Sequence, residues 1–582
     1  MPKFSPPLRD HLFCLYELLD FESHRRLPGF EACTRDLVEA VLEQSARFCS
    51  EVIHPLNRSA DEQGVRFDKG VVTTPAGFRE AYAQLVAGGW PALTARPEHG
   101  GQGMPHMVNI LFEEMLNGAS LAFGLFPGLT RGAYVLLNDH GSAEQKALYG
   151  PKLASGEWAG SMCLTEAHCG TDLGLLKTQA QPRGDGGYAL TGTKIFISAG
   201  EHDLTPNIIY FVLARLPGAP KGSKGISLFL VPKVLPDGAR NGVACSAVEH
   251  KMGIHGCPTC VMNFDGAVGW LVGEPHNGLK AMFSMMNAER IAVGIHGLAI
   301  AEASYENAVA YARERLQGRA PGGQRDASKP ADPIIMHPDV RRMLMTQRAL
   351  VEGCRMLALW TAQALDVSEH HPDAERRKEA DDLVALMTPV VKAFLTDCGS
   401  DAANLGVQVL GGHGYIRANG QEQFVRDVRI TQIYEGTNGV QAMDLLGRKV
   451  LHLDLFRAFA KPVTEFITAH EDNDRLSGMV APLAAAFDLL EDATQLIRAS
   501  TSSEDAGAAA VDYMRLFALT SLAYLWARAA AVSLTKSNDE FHRAKLATAR
   551  FFMQRILPDT AALHAKITAG AGSVMEMDEA MF

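Results

Sequence analysis

One carboxylate in this chain stands in a setting suited to proton abstraction. The run YEGTNGVQ, Tyr434 to Gln441, places Glu435 in a glycine-flanked turn just after Ile430, Ile433 and Tyr434. Apolar neighbours solvate a carboxylate poorly, which raises its pKa and makes it a stronger base. Taken alone, the same residues also describe an ordinary Glu that opens a helix beside a Gly. Glu435 is accompanied by three further segments: MCLTEAHCGTDLG (Met162 to Gly174), TGTKIFIS (Thr191 to Ser198) and QVLGGHGYI (Gln408 to Ile416).

The order and spacing of these four segments resemble the acyl-CoA dehydrogenase family of flavoproteins, over roughly residues 35–450. The resemblance implies a reaction with three requirements. A base takes the weakly acidic α proton of an acyl thioester, donors polarise the thioester carbonyl, and a hydride acceptor lies against Cβ. No side chain accepts hydride, so a cofactor is obligatory; the family uses FAD, with flavin N5 as acceptor. By resemblance Glu435 is the base. Its backbone N–H and the flavin ribityl 2′-hydroxyl would hold the carbonyl as an oxyanion hole, and Gly436 would let the backbone approach the substrate.

The same resemblance assigns the flavin contacts. Met162, Cys163, Leu164 and Thr165 would run along the isoalloxazine. Phe196, Ile197 and Ser198 would cover its other side, although Phe196 alone reads as strand core. Gly170 and Thr171 lie in TEAHCGTD, where the common form is TEPGAGSD. Thr171 can offer a hydroxyl to cofactor or substrate where the family has Ser, whereas His168 and Cys169 replace small residues. Arg290, in NAERIAVG, occupies the position of an Arg near the CoA and acyl path; alone it would read as a surface residue. Arg315 and Gln317 match a segment that reaches the partner subunit's FAD. Gln408, Gly411 and Gly412 match a glycine turn packed on the partner's FAD adenosine. Thr437 and Gly439 match flavin-side contacts of the base loop, though the family more often has Gln at the latter position. One FAD touched by two chains implies at least a homodimer.

Some family members carry the base beside the Arg instead. This chain has Glu at both places, Glu289 and Glu435. Two carboxylates facing one carbon would repel and raise one pKa. Glu435 is therefore expected to be the base, and Glu289 an ordinary helix residue pointing away.

The elements that must position these residues follow from periodicity. The expected class is α+β multidomain: an N-terminal arm (1–34), an N-terminal helical domain (35–156), a central β-barrel or sandwich (157–277), a C-terminal four-helix bundle (278–450) and an extra helical domain (451–582). Leu37, Val41, Leu42 and Phe48 recur at near-helical spacing. Between 157 and 275 come short Ile-, Val- and Phe-rich runs separated by Gly and Pro turns. From 278 the helical period returns through Ile291, Ile295, Leu298, Ala301 and Tyr305. Residues 316–333 read as a Gly/Pro/charge loop, 368–382 as a polar insert between helices, and 501–507 as a helix break. The arm and the long C-terminal addition resemble a subfamily that includes 3-methylmercaptopropionyl-CoA dehydrogenases and broad-range bacterial fatty acyl-CoA dehydrogenases. No GxGxxG marks a Rossmann site.

Composition narrows the alternatives. The 582 residues are 47% hydrophobic and 21% charged, with net charge −11, which argues against a nucleic-acid protein. A non-catalytic DNA-binding member of the superfamily would carry a basic C-terminal region, but residues 450–582 hold 12 Lys and Arg against 17 Asp and Glu. An acyl-CoA oxidase using O2 shares these motifs, so they do not separate it from a dehydrogenase passing electrons to an electron-transferring flavoprotein. The ten scattered cysteines read as reduced core residues of a cytoplasmic protein. Cys257 and Cys260 form one CxxC without a second, so no metal is expected; strand alternation would leave one near each face. The N-terminus carries charges where an export signal needs an apolar core. Leu516 to Leu534 is apolar enough to suggest a membrane span, yet it holds Arg528, Thr520 and Ser521 and is expected to be a buried helix.

Overall fold

Between residues 157 and 275 the apolar runs form seven strands, and their burial explains their composition. Ile208–Arg215 and Ile226–Pro232 are buried along almost their whole length, as continuous apolar runs must be when both faces are covered. Thr259–Val272 mixes buried and half-exposed positions instead. The chain is described here by a computed structural model covering residues 4–582; residues 1–3 of the expected N-terminal arm lie outside the described residues.

Tyr188–Ser198 pairs antiparallel with Thr259–Val272, which pairs with Ile226–Pro232, which pairs with Ile208–Arg215. Gln179–Pro182 closes the ring, antiparallel to Tyr188–Ser198 and touching Ile208–Arg215 at Gln179↔Arg215. Ala159–Cys163 lies parallel to Ile208–Arg215. The ring is a barrel filled by residues such as Tyr210, Phe229, Met262 and Phe264. A second, two-stranded sheet stands outside it: Arg66–Asp68 and Val71–Thr73, turned at Lys69 and Gly70, both with positive φ. The expectation of a mostly helical start omitted this hairpin, although a Lys-Gly pair between two strand-forming triplets is a turn signal.

The chain divides into two units. One comprises Met1–Ala46, His106–Glu114 and Val293–Phe582; the other comprises Arg47–Pro105 and Met115–Ala292. The first contains the long helices Pro338–His370 and Ala374–Leu410 and the greater part of Gly278–Glu314. Gly278–Glu314 and Ala374–Leu410 touch backbone to backbone. A Cβ on Gly294 would stand 2.6 Å from the Val391 carbonyl oxygen, and one on Gly297 2.5 Å from that of Leu395. Only glycine permits this approach, and it sets the surface on which the Glu435 turn rests.

Two breaks are shorter than the sequence suggests. Most of the polar insert 368–382 is helical: Pro338–His370 runs to its start, and Ala374–Leu410 begins where the Asp373 side chain accepts from the Glu375 N–H at 2.9 Å. The 501–507 break shrinks similarly, since Ser502 caps the helix Ser503–Leu534. Polar sequence here is solvent-facing helix opened by a cap. By contrast, 316–333 is a loop, organised on the buried Asp332 carboxylate, which accepts from the N–H groups of Ala320 (3.0 Å) and Arg325 (3.1 Å).

The arm and the C-terminal helices belong to the core of the first unit. Phe13, Cys14 and Leu15 are buried. Asp10 of the arm meets Arg355 at 2.5 Å, and Arg355 also binds Glu114 (2.5 Å) and Glu302. Lys545, on the helix Glu540–Arg555, pairs with the same Asp10 and with Glu352 at 2.8 Å. Leu522 and Trp526 of Ser503–Leu534 pack on Gly353, and the Trp526 indole N–H donates to the Ala349 carbonyl at 3.2 Å. Two helical stretches, Ala374–Tyr415 and Glu504–Leu534, are long and apolar enough to cross a membrane, but their most apolar windows are 72% and 83% buried within the protein. Core packing accounts for their composition.

All ten cysteines are free and buried. Cys257 precedes the strand Thr259–Val272 rather than lying in it, so the alternation expected for the CxxC fails and both thiols are enclosed.

Candidate active site

Glu435 is half-buried and adopts φ 54°, with Gly436 at φ 83°. A non-glycine residue in the left-handed region costs roughly 1–3 kcal/mol and persists only where its surroundings over-determine it. The surroundings here are specific. The Gln441 Nε2 donates to the carbonyls of Glu435 (3.1 Å) and Gly436 (3.4 Å). Thr437 caps the short helix Asn438–Met443, its hydroxyl accepting from the Val440 N–H at 3.4 Å. The Asn438 side chain is bound on all sides. Its Oδ1 accepts from Lys392 Nζ at 2.8 Å, and its Nδ2 lies within 3.1 Å of the Ala393 carbonyl, Thr396 Oγ1 and Asp397 Oδ1. Gln432 Nε2 donates to Asp397 Oδ1 at 2.6 Å. Tyr434 Oη lies 3.0 Å from Nδ1 of the buried His296.

Farther along the same helices, Tyr311 Oη lies 3.1 Å from His413 Nδ1. This contact brings the end of Gly278–Glu314, and with it Arg315, beside the glycine turn after Leu410. Gln317 is exposed, and its backbone N–H donates to the Asp332 carbonyl at 3.1 Å. Gln408, Gly411 and Gly412 are exposed, Gly411 has φ 60°, and Tyr415 beside them is 81% exposed. From Asp397, at the foot of the Glu435 turn, to Gln408 the helix rises about 16 Å.

The second unit holds the other motifs together on one sheet. Ser161 Oγ donates to the Ser198 carbonyl at 3.0 Å, and the Ile195 N–H donates to the Thr165 carbonyl at 2.9 Å. Between these ties the buried Lys194 donates to the Leu164 carbonyl and to Glu166, both at 2.9 Å. Glu166 also accepts from the Lys177 and Thr178 N–H groups and the Thr178 hydroxyl. Burial alone would raise the Glu166 carboxyl, but Lys194 and these donors overcome it and bring it to about 2. Burial pushes the Lys194 ammonium below its ordinary value despite Glu166.

This frame carries Phe196 outward. The residue is 59% exposed with φ 58°, at a register shift between Lys194 and Ile197. A bulge turns the ring to the surface, away from the core position that a lone strand Phe suggests. Met162, Cys163 and Ile197 are buried, Leu164, Thr165 and Ser198 half-buried, and Gly170 and Thr171 exposed. Glu166, His168 and Cys169 place ligand-type atoms within 4.8 Å of one another. The Glu166 oxygens are already taken by Lys194, Thr178 and Lys177, and His168 Nε2 lies 3.0 Å from the Leu175 carbonyl, so the cluster serves the loop.

Arg290 and Glu289 are both buried, so Arg290 does not take the surface position that it would suggest if read alone. Glu289, expected to be an ordinary helix residue pointing away, is enclosed: its Oε1 lies 2.4 Å from where a Cβ on Gly132 would stand. Sequence reasoning missed His296, Lys392, Asp397 and Gln432, and it quoted Glu166, Lys194 and Asn438 without assigning them. The latter three were marked by polar residues inside otherwise apolar motifs. Asp397 carries no local signal.

Comparison with known proteins places these residues in context. Residues 36–157, 161–267 and 276–451 match the N-terminal, middle and C-terminal domain families of acyl-CoA dehydrogenase, and residues 459–578 match a family described as acetyl-CoA dehydrogenase C-terminal like. A 3-methylmercaptopropionyl-CoA dehydrogenase of Ruegeria pomeroyi is 43% identical, covering 98% of this chain and 99% of its own length. A broad-specificity linear acyl-CoA dehydrogenase, FadE5, of Mycobacterium tuberculosis is 33% identical over the full length of both. Among solved structures, Caenorhabditis elegans ACDH-11 in complex with C11-CoA superposes with TM-score 0.80, covering 99% of this chain and 96% of its own at 19% identity, a likeness of fold.

Proposed function

We infer the reaction from a premise the comparisons establish: this chain belongs to the acyl-CoA dehydrogenase family. It is an FAD-dependent oxidoreductase that converts an acyl-CoA thioester to the trans-2-enoyl-CoA. FAD, when bound, would supply the acceptor for the β hydride.

The residue assignments are our proposal. Glu435 takes the α proton, and its backbone N–H, beside Gly436, donates to the thioester carbonyl. The observation that carries this is the left-handed Glu435 clamped on both flanks, since such strain concentrates at functional sites. Phe196 and Ser198, with Met162 to Thr165 and Gly170, hold the flavin; an aromatic presented to the surface by a strained bulge fits a planar ring. Thr171 and Arg290 face the CoA ester, and Thr437 and Gly439 complete the base loop.

Arg315, Gln317, Gln408, Gly411 and Gly412 contact the FAD of a partner subunit in a homodimer. Two features support this: the axial rise of about 16 Å between Asp397 and Gln408, and the exposed Tyr415 and Ile416 beside the turn. The substrate is 3-methylmercaptopropionyl-CoA or a linear acyl-CoA, in keeping with the names of the two relatives. Electrons leave to an electron-transferring flavoprotein, and ten buried free thiols suit a cytoplasmic enzyme.

Turnover of a ladder of acyl-CoA thioesters with a dye acceptor tests this reading. The expected profile peaks at 3-methylmercaptopropionyl- and butyryl-CoA, with about one FAD per chain. Peroxide release in air at the dye-coupled rate would make the protein an oxidase instead.

A further inference from the structure

We propose that Asp397 is a positioning residue for proton abstraction, an inference that rests on reading Glu435 as the base. Residues 432 and 438 stand three positions before and three after Glu435, and both reach the same carboxylate oxygen. Gln432 Nε2 donates to Asp397 Oδ1 at 2.6 Å and Asn438 Nδ2 at 2.7 Å. One anionic acceptor thus pins both feet of the strained turn, and hydrogen bonds to a charged acceptor are the strong kind.

The second foot is fixed further. Asn438 Oδ1 accepts from Lys392 Nζ at 2.8 Å, and its amide also reaches the Ala393 carbonyl and Thr396 Oγ1. Lys392 and Thr396 sit one turn apart on Ala374–Leu410, at i and i+4, and Asp397 follows Thr396 directly. That helix is locked by glycine contacts to Gly278–Glu314, so the anchor is rigid. Asn438 is oriented by a cation on its oxygen and an anion on its nitrogen, which leaves one amide orientation. Relaxing the turn lets φ of Glu435 return to an unstrained value and swings the carboxylate away from its working direction, while residues that bind FAD and CoA elsewhere stay in place.

The test is Asp397→Ala and Asp397→Asn in the FAD-loaded enzyme, with Glu435→Gln alongside. Asp397→Ala is expected to lower kcat at least tenfold with KM for butyryl-CoA within about twofold and FAD content unchanged. Asp397→Asn, which keeps one acceptor oxygen, should retain more activity. A 3-thiaacyl-CoA, acidic at Cα and unable to lose a β hydride, reads proton abstraction without turnover through its long-wavelength absorption with oxidised flavin, and that band should weaken in parallel with kcat. Gln432→Ala removes one foot only and serves if Asp397→Ala does not fold; it should show the same kcat-selective loss in smaller degree. Wild-type kcat in these variants beside an inactive Glu435→Gln overturns the positioning role alone, as does a loss that tracks FAD content or melting temperature. A Glu435→Gln enzyme that retains activity overturns the base assignment instead.

Discussion

Glu166 and Lys194 form a buried ion pair at 2.9 Å that joins two sequence motifs into one surface. The Lys194 ammonium also binds the Leu164 carbonyl, so the end of Ala159–Cys163 and the bulge of Tyr188–Ser198 are fixed to each other two residues before Phe196. Desolvation opposes both charges, and the pair matters more for where it holds the strands than for net stability.

Breaking that pair from one side should therefore loosen FAD. Lys194→Met leaves Glu166 buried without its cation, a loss of the order of 3–5 kcal/mol. The expected outcome is FAD affinity reduced at least tenfold and a lower melting temperature, read by flavin fluorescence on dilution. Retention of FAD with wild-type affinity would show that the pair does not hold the cradle.

The acid limb of stability should report the same carboxylate. The Glu166 carboxyl is held at about 2, against an ordinary value of 4.5. Its folded pKa is depressed, so its contribution is complete above pH 4.5 and is lost as pH falls toward 2. The melting-temperature gap between wild type and Glu166→Gln should be constant from pH 7 to 5 and narrow below 4.5. A gap that persists unchanged to pH 3 would contradict the assignment.

Much of this could be read from the sequence, and the exceptions share a cause. The strands were legible because Ile208–Arg215 and Ile226–Pro232 are buried on both faces and nothing polar interrupts them. The turn at Glu435 was legible because its glycines carry a local signature. Phe196 was legible only through its motif, since a bulge reverses the face a strand residue takes. Asp397 was not, because its partners Gln432 and Asn438 are 35 and 41 residues away. The burial of Glu289 was not legible for a similar reason: enclosure of a charged side chain depends on distant residues, and Gly132 gives no sign in sequence that it makes room for a carboxylate.

The two candidate bases separate by substitution. Glu435→Gln keeps shape and hydrogen bonding but cannot accept the α proton, and a general base contributes typically 10²–10⁴-fold. A loss in that range with FAD and acyl-CoA binding retained is expected. Glu289→Gln, which neutralises a carboxylate packed on Gly132, should cost activity far less and show itself mainly in melting temperature. The reverse ranking in stopped-flow flavin reduction would move the base to Glu289.

The arm and the C-terminal helices should unfold with the bundle. Arg355 gathers Asp10, Glu114 and Glu302, while Lys545 shares Asp10 and adds Glu352. Asp10 is held far below the ordinary carboxylate range: burial raises it, and Lys545 and Arg355 more than offset that. Asp10→Ala leaves two buried cations short of an anion and should cost about 3–5 kcal/mol, lowering one cooperative transition in calorimetry. A separate early transition for the arm, with the main one unmoved, would mean the network does not couple them.

Removal of the C-terminal helices tests what they cover. Leu522 and Trp526 pack on Gly353, the Trp360 and Tyr524 rings lie 5.5 Å apart, and Lys545 pairs with Asp10 and Glu352. A chain ending at Lys449 loses all of these, exposing apolar side chains of Pro338–His370 and leaving two buried carboxylates without a shared cation. Family members that lack such an extension would have this face free for a second dimer, so the intact chain, with the face occupied, is expected to be a dimer. Residues 450–582 have 12 basic against 17 acidic side chains, which disfavours attachment to an anionic membrane as their purpose. Light scattering should give a dimer for the intact chain and aggregation or a higher assembly for the truncated one. A tetrameric intact protein, or a truncated chain that remains a well-behaved dimer, would show that the helices are not a cap.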